Sequence, residues 1–185
     1  EIANNTDYTK IRKTVYDRLV QAQALLPKGI KLCLYEGYRS LNLQHMLFDN
    51  IFSKMRGSHP DWSEAQVFEE TIKLVSPVRN RDGSQNTPPH STGAAVDVYL
   101  IDEMGRPLDM GILINDWMTD EDGALSQTDS QCISHEARQH RNLMGHVLLS
   151  VGLINYPTEY WHWSYGDRYW AHQLGEPHAI YGSVE

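Results

Sequence analysis

The sequence predicts an α+β fold in a single domain. Helical patterns dominate the first half of the chain, and strand-like segments separated by loops follow, which is an order typical of this fold class. No internal repeat and no domain linker is evident, and 185 residues is an ordinary length for one domain with its own core. We therefore expect one folded unit over residues 1–185.

Four segments carry the signals of amphipathic helices. They are Asp7–Leu26, Leu43 to about Gly57, Ser63–Val75 and Ser134–Val151, the last being the final helix predicted. Apolar residues recur at intervals of four in three of them: Ile11, Val15 and Leu19; Leu43, Leu47 and Ile51; and Leu143, Val147 and Val151. Thr6 or Asp7 can cap the first helix, and Pro27 ends it. Ser63 and Gln66 have the spacing of a capping box.

Three short segments are predicted to be strands, and two polar segments to be loops. The strands are residues 30–35, 94–101 and 160–165, and the loops are residues 77–89 and 115–132. Gly37 lets the chain turn after the first strand, which places Arg39 just beyond the end of that strand. The second loop contains five acidic residues, and we expect it to lie beside the functional site.

Composition and charge narrow the class of protein. The net charge of −8 argues against nucleic acid as a partner, because phosphate binding needs a basic face, but it suits a small peptide substrate. No apolar run approaches the length of a membrane span. No signal peptide is visible, so we expect a cytoplasmic location. Because the chain begins at Glu1 rather than Met, a leader could have been removed, and the periplasm stays open. Nothing in the sequence indicates an oligomeric state.

The two cysteines, Cys33 and Cys132, are predicted to be free and buried. Neither belongs to a C-x2-C pair, and two cysteines are too few for a disulfide framework. Free cysteine is among the most frequently buried residue types. A single disulfide between them, which would indicate an oxidising compartment, stays open.

Two stretches carry residue types that bind metals. Residues 88–97 (PPHSTGAAVD) contain a histidine and an aspartate seven residues apart, and residues 159–163 (EYWHW) contain a glutamate and a histidine. Two imidazoles and one carboxylate form an open tetrahedral zinc site, in which the fourth position is left for water. A further carboxylate that does not bind the metal can accept the proton of that water. The pattern therefore indicates a hydrolase with one zinc ion per chain.

His90 and Asp97 cannot both reach one metal from a straight strand, because residues seven apart point to opposite faces. Pro88 and Pro89 keep His90 in a loop, and Gly93 lets that loop fold back over the strand that bears Asp97. Each residue also has a simpler interpretation. His90 could be an ordinary loop histidine, and Asp97 could be held by a salt bridge.

Glu159 and His162, three residues apart, meet the same difficulty in a strand, so we expect Glu159 at the entrance of the last strand. Alternatively, His162 is a packed core histidine, Glu159 pairs with Arg168, and Arg39 pairs with Glu36. The neighbouring aromatic residues are interpreted as core and pocket wall rather than a carbohydrate platform. They are Trp161, Trp163, Tyr165, Tyr169 and Trp170.

Three motifs in this order resemble the D-alanyl-D-alanine dipeptidase family of zinc D,D-peptidases. They are residues 35–40 (YEGYRS), 88–97 and 159–171 (EYWHWSYGDRYWA). The resemblance implies a hedgehog-like fold, with a small, mostly antiparallel sheet that carries the zinc site and packs against several helices. It also implies a role for each site residue: His90, Asp97 and His162 as zinc ligands, Glu159 as general base, and Arg39 as the group that stabilises the oxyanion.

The resemblance further implies the dipeptide D-Ala-D-Ala as substrate. In the family an aspartate soon after a Met-Gly pair binds the free ammonium group, and Asp116, which follows Met110 and Gly111, is the nearest candidate here. Relatives often carry a serine at the position of Pro88, near the substrate carboxylate. Because proline offers no hydroxyl, we expect Ser91 or a backbone N–H to bind the carboxylate. Ser40 stands where a proline is common, which we expect to alter only the turn.

Two other functions remain open. A D,D-carboxypeptidase would cut longer peptidoglycan stem peptides and would need an open cleft, whereas a closed pocket would favour the dipeptidase. A non-catalytic, zinc-stabilised binding module would have no need of Glu159, so its presence argues against that function.

Other catalytic signatures are disfavoured. Residues 135–140 (HEARQH) are one residue too long for the zinc motif H-E-x-x-H, because a step of five residues turns about 140° around a helix and a step of four about 40°. We therefore interpret His135, His140 and His146 as surface or packing residues of a helix. No S-x-x-K is followed by K-T-G, which disfavours a serine D,D-peptidase.

Overall fold

The computed structural model describes residues 6–120 and 122–184; residues 1–5, Glu121 and Glu185 lie outside the described part of the chain. The described part confirms the α+β fold class. The helices are α1 Lys13–Leu25, α2 Leu41–Ser58, α3 Glu64–Thr71, α4 His135–Ser150 and α5 Arg168–Leu174. The strands are β1 Lys31–Glu36, β2 Ala95–Ile101, β3 Ile154–Asn155 and β4 His162–Ser164. Three short 3-10 helices cover Asp7–Thr9, His90–Thr92 and Ile114–Thr119.

The four strands form one antiparallel sheet in the order β1-β2-β4-β3. The register places Glu36 opposite Asp97 and Asp97 opposite His162, so three polar residues form one row across three strands. An irregularity between Leu34 and Glu36 shifts β1 so that Glu36 enters this row. Bulges of this kind re-aim side chains next to active sites.

Helices α1 and α4 cover one face of the sheet. Apolar side chains from α1, α4 and alternate positions of β2 form the main core: Val15, Ala22, Val96, Val98, Leu100, Met144, Val147 and Leu148. Because side chains alternate along a strand, Asp97 points to the opposite face of the sheet. Helices α2 and α3 pack together around a smaller cluster formed by Phe48, Ile51 and Val75.

The first helix begins at Lys13, so its predicted start at Asp7 was wrong. The backbone of the preceding residues bonds to other parts of the chain: the carbonyls of Tyr8 and Lys10 accept from Gly37 and Tyr38 (2.6 and 2.7 Å), and the Arg12 N–H donates to Gly93 (2.8 Å). These tertiary bonds replace the helical ladder that the apolar spacing suggests.

Several other boundaries also differ. The predicted capping box of α3 is present, but the helix ends at Thr71 rather than Val75. Helix α4 is not the last, because α5 follows it, with Asp167 accepting from the N–H of Trp170 at its start (2.8 Å). The last strand is shorter than residues 160–165, and β3 was not predicted. The predicted loop 115–132 opens on a 3-10 helix.

Both cysteines are free, as predicted, but the prediction that they are buried was wrong. Cys33 is half-buried and Cys132 is exposed. Among the described residues, none of the helices combines the length and the apolar character that a membrane crossing requires.

Candidate active site

His90 reaches the site from a single 3-10 turn rather than from a strand. Pro89 precedes this turn, and Gly93 ends it in the left-handed conformation (φ 67°), after which the chain enters β2. The N–H of Gly93 donates back to the His90 carbonyl at 3.1 Å. Gly93 therefore has the bending role that its position suggested, and it lets His90 and Asp97 approach the same point.

The side chains of His90, Asp97 and His162 converge. His90 Nε2 lies 3.2 Å from His162 Nδ1 and 3.4 Å from Asp97 Oδ1, and His162 Nδ1 lies 3.1 Å from Asp97 Oδ1. All three residues are buried, at 5–8% exposure. Within the described ranges this is the one group of three histidine, cysteine or acidic side chains whose ligand atoms lie close enough to hold a metal ion.

A hydrogen bond orients His90, and the neighbouring rings keep Asp97 in its ligand form. His90 Nδ1 donates to the Gly37 carbonyl (2.8 Å), which leaves the Nε2 lone pair directed at the cluster in the neutral ring. Burial alone would raise the pKa of Asp97, but the adjacent His90 and His162 rings hold it below its usual value. Asp97 is therefore ionised, as a metal ligand must be.

Glu159 lines the same cleft and has no place in the three-residue group. It sits in a tight turn before β4, in which its N–H donates to Tyr156 and its carbonyl accepts from His162 (2.9 and 3.1 Å). The turn explains how residues three apart share one cleft. Burial raises the pKa of Glu159; attraction to His162 opposes this rise and repulsion from Asp97 adds to it. A carboxylate with a raised pKa is a suitable general base.

Arg39 lies just beyond β1 and is held from two sides. Its Nε donates to Glu36 (2.8 Å), a second guanidinium nitrogen pairs with the same carboxylate, and Nη1 donates to Gln44 (2.9 Å). Its backbone N–H also donates to the His90 carbonyl (3.2 Å). A guanidinium has five N–H donors, and three are engaged here, so two remain for a ligand.

Gln44 is a site residue that sequence reasoning missed. It is only 1% exposed, and while its Oε1 accepts from Arg39, its Nε2 donates to the Ser76 carbonyl (2.6 Å). In the sequence it is one polar residue in an amphipathic helix. Its position four residues after Ser40, which caps α2, offered the single local hint.

Asp116 and Ser91 do not join the group. Asp116 is exposed and does not line the cleft, although its neighbour Trp117 does. Ser91 is fully buried, and its Oγ finds no partner among the described residues. The histidines of residues 135–140 are surface or packing residues of a helix, as predicted. His135 is exposed on α4, and His140 Nδ1 donates to the carbonyl of Asp109 (2.7 Å).

The group lies in a cleft of about 1260 Å³. One part of its lining is an apolar surface from α2, α3 and the segments after them, which the sequence did not reveal. It consists of Leu43, Leu47, Phe68, Ile72, Leu74, Val75, Ile114 and Trp117. Of the aromatic residues assigned to core and pocket wall, Trp161 and Tyr169 line the cleft, whereas Trp163 and Trp170 are buried.

The chain is similar to known dipeptidases along nearly its whole length. The family model described as D-ala-D-ala dipeptidase matches residues 5–179. A D-alanyl-D-alanine dipeptidase from Synechocystis sp. is 29% identical over 198 residues, which cover 95% of this chain and 79% of the relative.

Two solved structures are similar to this chain at lower identity. One is VanYB in complex with D-alanine-D-alanine, at 16% identity and a TM-score of 0.47, covering 90% of this chain and 76% of its own. The other is a variant of the vancomycin-resistance D,D-pentapeptidase VanY in complex with Zn(II), at 15% identity and a TM-score of 0.43. The match covers 89% of this chain and 77% of that structure's chain. Because the family model spans nearly all of the sequence and takes in every residue of the cluster, this chain belongs to the D-ala-D-ala dipeptidase family of metallopeptidases.

Proposed function

We propose that this protein hydrolyses the dipeptide D-Ala-D-Ala with one zinc ion held by His90, Asp97 and His162. The observation that carries the proposal is the spacing of their ligand atoms, 3.1–3.4 Å. Zinc bonds of about 2.0–2.1 Å in a tetrahedron place ligand atoms about 3.4 Å apart. Three ligands from the chain leave one position free, which is the pattern of catalytic rather than structural zinc.

When bound, zinc would supply an acidified water as nucleophile and would polarise the scissile carbonyl. The remaining work falls to side chains of the cleft. Glu159 accepts a proton from the attacking water and returns it to the leaving amine, and the rise of its pKa by burial strengthens it as a base. The two N–H groups that Arg39 has free stabilise the negative charge that develops on the carbonyl oxygen.

Recognition of the substrate termini is assigned from position in the chain and from the family resemblance. We assign the ammonium group to Asp116, which adjoins the cleft residue Trp117, and the carboxylate to the Ser91 segment, which adjoins His90. Neither Asp116 nor Ser91 itself lines the cleft. The support for these two residues is their adjacency to cleft residues and the family resemblance. Only the ammonium contact would select against longer peptides, because in them the corresponding nitrogen is an uncharged amide, whereas the terminal carboxylate is the same in both.

The size of the cleft favours a second candidate, a D,D-carboxypeptidase. A volume of about 1260 Å³ exceeds what a dipeptide with two methyl side chains can fill, and pockets for drug-sized ligands measure roughly 300–1,000 Å³. The apolar surface could then hold the upstream part of a longer peptide. The non-catalytic zinc module has no such support, since Glu159 lines the cleft without being part of the metal group.

The substrate assay distinguishes the two enzymes. Zinc-loaded protein should hydrolyse D-Ala-D-Ala with a kcat/KM at least ~10-fold above that for N-acetyl-D-Ala-D-Ala, since acylation removes the charge that a carboxylate would bind. A stem pentapeptide ending in D-Ala-D-Ala completes the comparison. Equal or higher kcat/KM for the acylated or longer peptide would establish the carboxypeptidase instead, and no hydrolysis of any of them would refute both.

Replacing Gln44 by methionine should weaken catalysis without releasing the metal. The variant keeps the side-chain volume but no longer holds Arg39, so we expect kcat for D-Ala-D-Ala to fall roughly 10-fold while zinc content is unchanged. Asn42→Met on the exposed face of the same helix is the matched control and should retain parental kcat. Parental kcat in the Gln44 variant would mean that Arg39 needs no support from Gln44.

A further inference from the structure

The last described residues of the chain fold back onto both metal-binding segments. The N–H groups of Ile180 and Tyr181 donate to the Gly166 carbonyl (2.8 and 2.9 Å), and the N–H of Val184 donates to the Ser91 carbonyl (2.8 Å). Residues 180–184, which we name the C-terminal clamp, lie beyond residues 5–179 that the family model matches.

Both acceptors stand close to a histidine of the cluster. Ser91 follows His90 directly, in the 3-10 turn, and Gly166 lies in the turn that joins β4, which begins with His162, to α5. The two turns belong to segments more than 70 residues apart in sequence, and the clamp connects them by main-chain hydrogen bonds.

Side chains of α1 and the residue before it fix the clamp on its other side. Tyr181 Oη lies 2.7 Å from Thr14 Oγ1, and the Arg12 guanidinium stacks on the Tyr181 ring, 4.9 Å from its centroid. Arg12 also donates to Gly182 (3.4 Å) and, through Nε, to the Thr92 carbonyl (2.8 Å). Arg12 thus joins the clamp to the turn that carries His90.

The clamp packs closely against Gly166, with no room for a side chain there. Gly166 has φ 84°, and a Cβ at this position would come within 2.9 Å of the Tyr181 ring and 3.2 Å of Ile180. The clamp therefore rests directly on the backbone of the β4–α5 turn.

We propose that the C-terminal clamp is a positioning element that sets the distance between His90 and His162 and thereby the metal affinity of the site. This inference rests on the metal site of the proposed function. His90 stands on a turn of only three residues, whose place is otherwise determined by Arg12, Gly37 and Arg39. Groups behind metal ligands commonly change metal affinity by roughly 10–100-fold when they are lost.

The test uses two proline substitutions in the chain of residues 1–185. Val184→Pro removes the N–H that donates to Ser91, whereas the N–H of Ser183 donates to no residue that the structure describes, so Ser183→Pro is the matched control. Zinc affinity is measured by competition with a chromophoric chelator, and ligand geometry by the visible absorption of the cobalt(II)-loaded protein. We expect zinc to bind roughly 10-fold more weakly to the Val184 variant, with an altered cobalt spectrum, and the control to stay within about two-fold of the parent.

Deletion of residues 180–185 should weaken zinc binding further, by up to about 100-fold, with the far-ultraviolet circular dichroism retained. Parental affinity and an unchanged cobalt spectrum in the Val184 variant would overturn the proposal, as would an equal loss in the Ser183 control. If the deletion variant does not fold, the two point variants still decide. A parent chain that binds no metal would refute the proposed zinc site itself, which is a different result from a parent that binds zinc and a variant that binds it equally well.

Discussion

His162→Ala is expected to release the metal from the protein while the fold persists. The proposed site would have three ligands from the chain, and removing one leaves a histidine and an aspartate, which hold zinc far more weakly than three ligands do. His90→Ala should have the same effect, because its Nε2 lies 3.2 Å from the His162 nitrogen at the same point. Zinc content after dialysis should fall from about one ion per chain to below ~0.1, and D-Ala-D-Ala hydrolysis should become undetectable.

His135→Ala provides the matched control for this prediction. It removes a histidine from the H-E segment that mimics a zinc motif, and the side chain is exposed at the start of α4, away from the cluster. Its zinc content and activity should equal those of the parent. Full zinc in the His162 variant, or loss of zinc in the His135 variant, would show that the ligands have been assigned incorrectly.

The fold could be predicted where the pattern that determines an element is local. Prediction failed where tertiary contacts determine the boundaries of an element. Ser63 and Gln66 form their capping box within four residues, and the structure contains it. The start of α1 was wrong because residues 8–12 bond to Gly37, Tyr38 and Gly93, which are distant in sequence. Helix α5 was not predicted because its seven residues are too few to show a helical period. Its start depends on one side chain, that of Asp167, which caps the helix.

The candidate site shows the same division. The residue types of His90, Asp97 and His162 suggested a metal, and Pro89 and Gly93 indicated the turn that carries His90. Their convergence also depends on the register between β2 and β4, which a pattern cannot reveal. The contact of Gln44 with Arg39 could not be predicted either, since it arises from the approach of α2 to the end of β1. The apolar part of the cleft combines residues of α2, α3 and a 3-10 helix that no sequence period connects.

Glu159→Gln is expected to separate proton transfer from metal binding. The amide keeps the shape of the side chain, and it cannot accept a proton as a carboxylate does. Zinc content should match the parent, because Glu159 lies outside the group formed by His90, Asp97 and His162. Turnover of D-Ala-D-Ala should fall by at least ~10²-fold, the usual cost of losing a general base. Both quantities are measured on the same preparation, zinc by elemental analysis and turnover at saturating dipeptide.

Asp97→Asn is the comparison variant, because it replaces a carboxylate that is a proposed metal ligand rather than the proposed general base. Asp97 is buried at 5% exposure with its Oδ1 facing both histidines, so replacing it by a neutral amide removes the negative ligand and weakens metal retention itself. The two carboxylate variants should therefore differ in kind: Glu159→Gln keeps its zinc and loses turnover, whereas Asp97→Asn loses zinc first. Added zinc should restore part of the activity of the Asp97 variant and none of that of the Glu159 variant. Parental turnover in Glu159→Gln, or rescue of that variant by zinc, would show that the proton passes through another group.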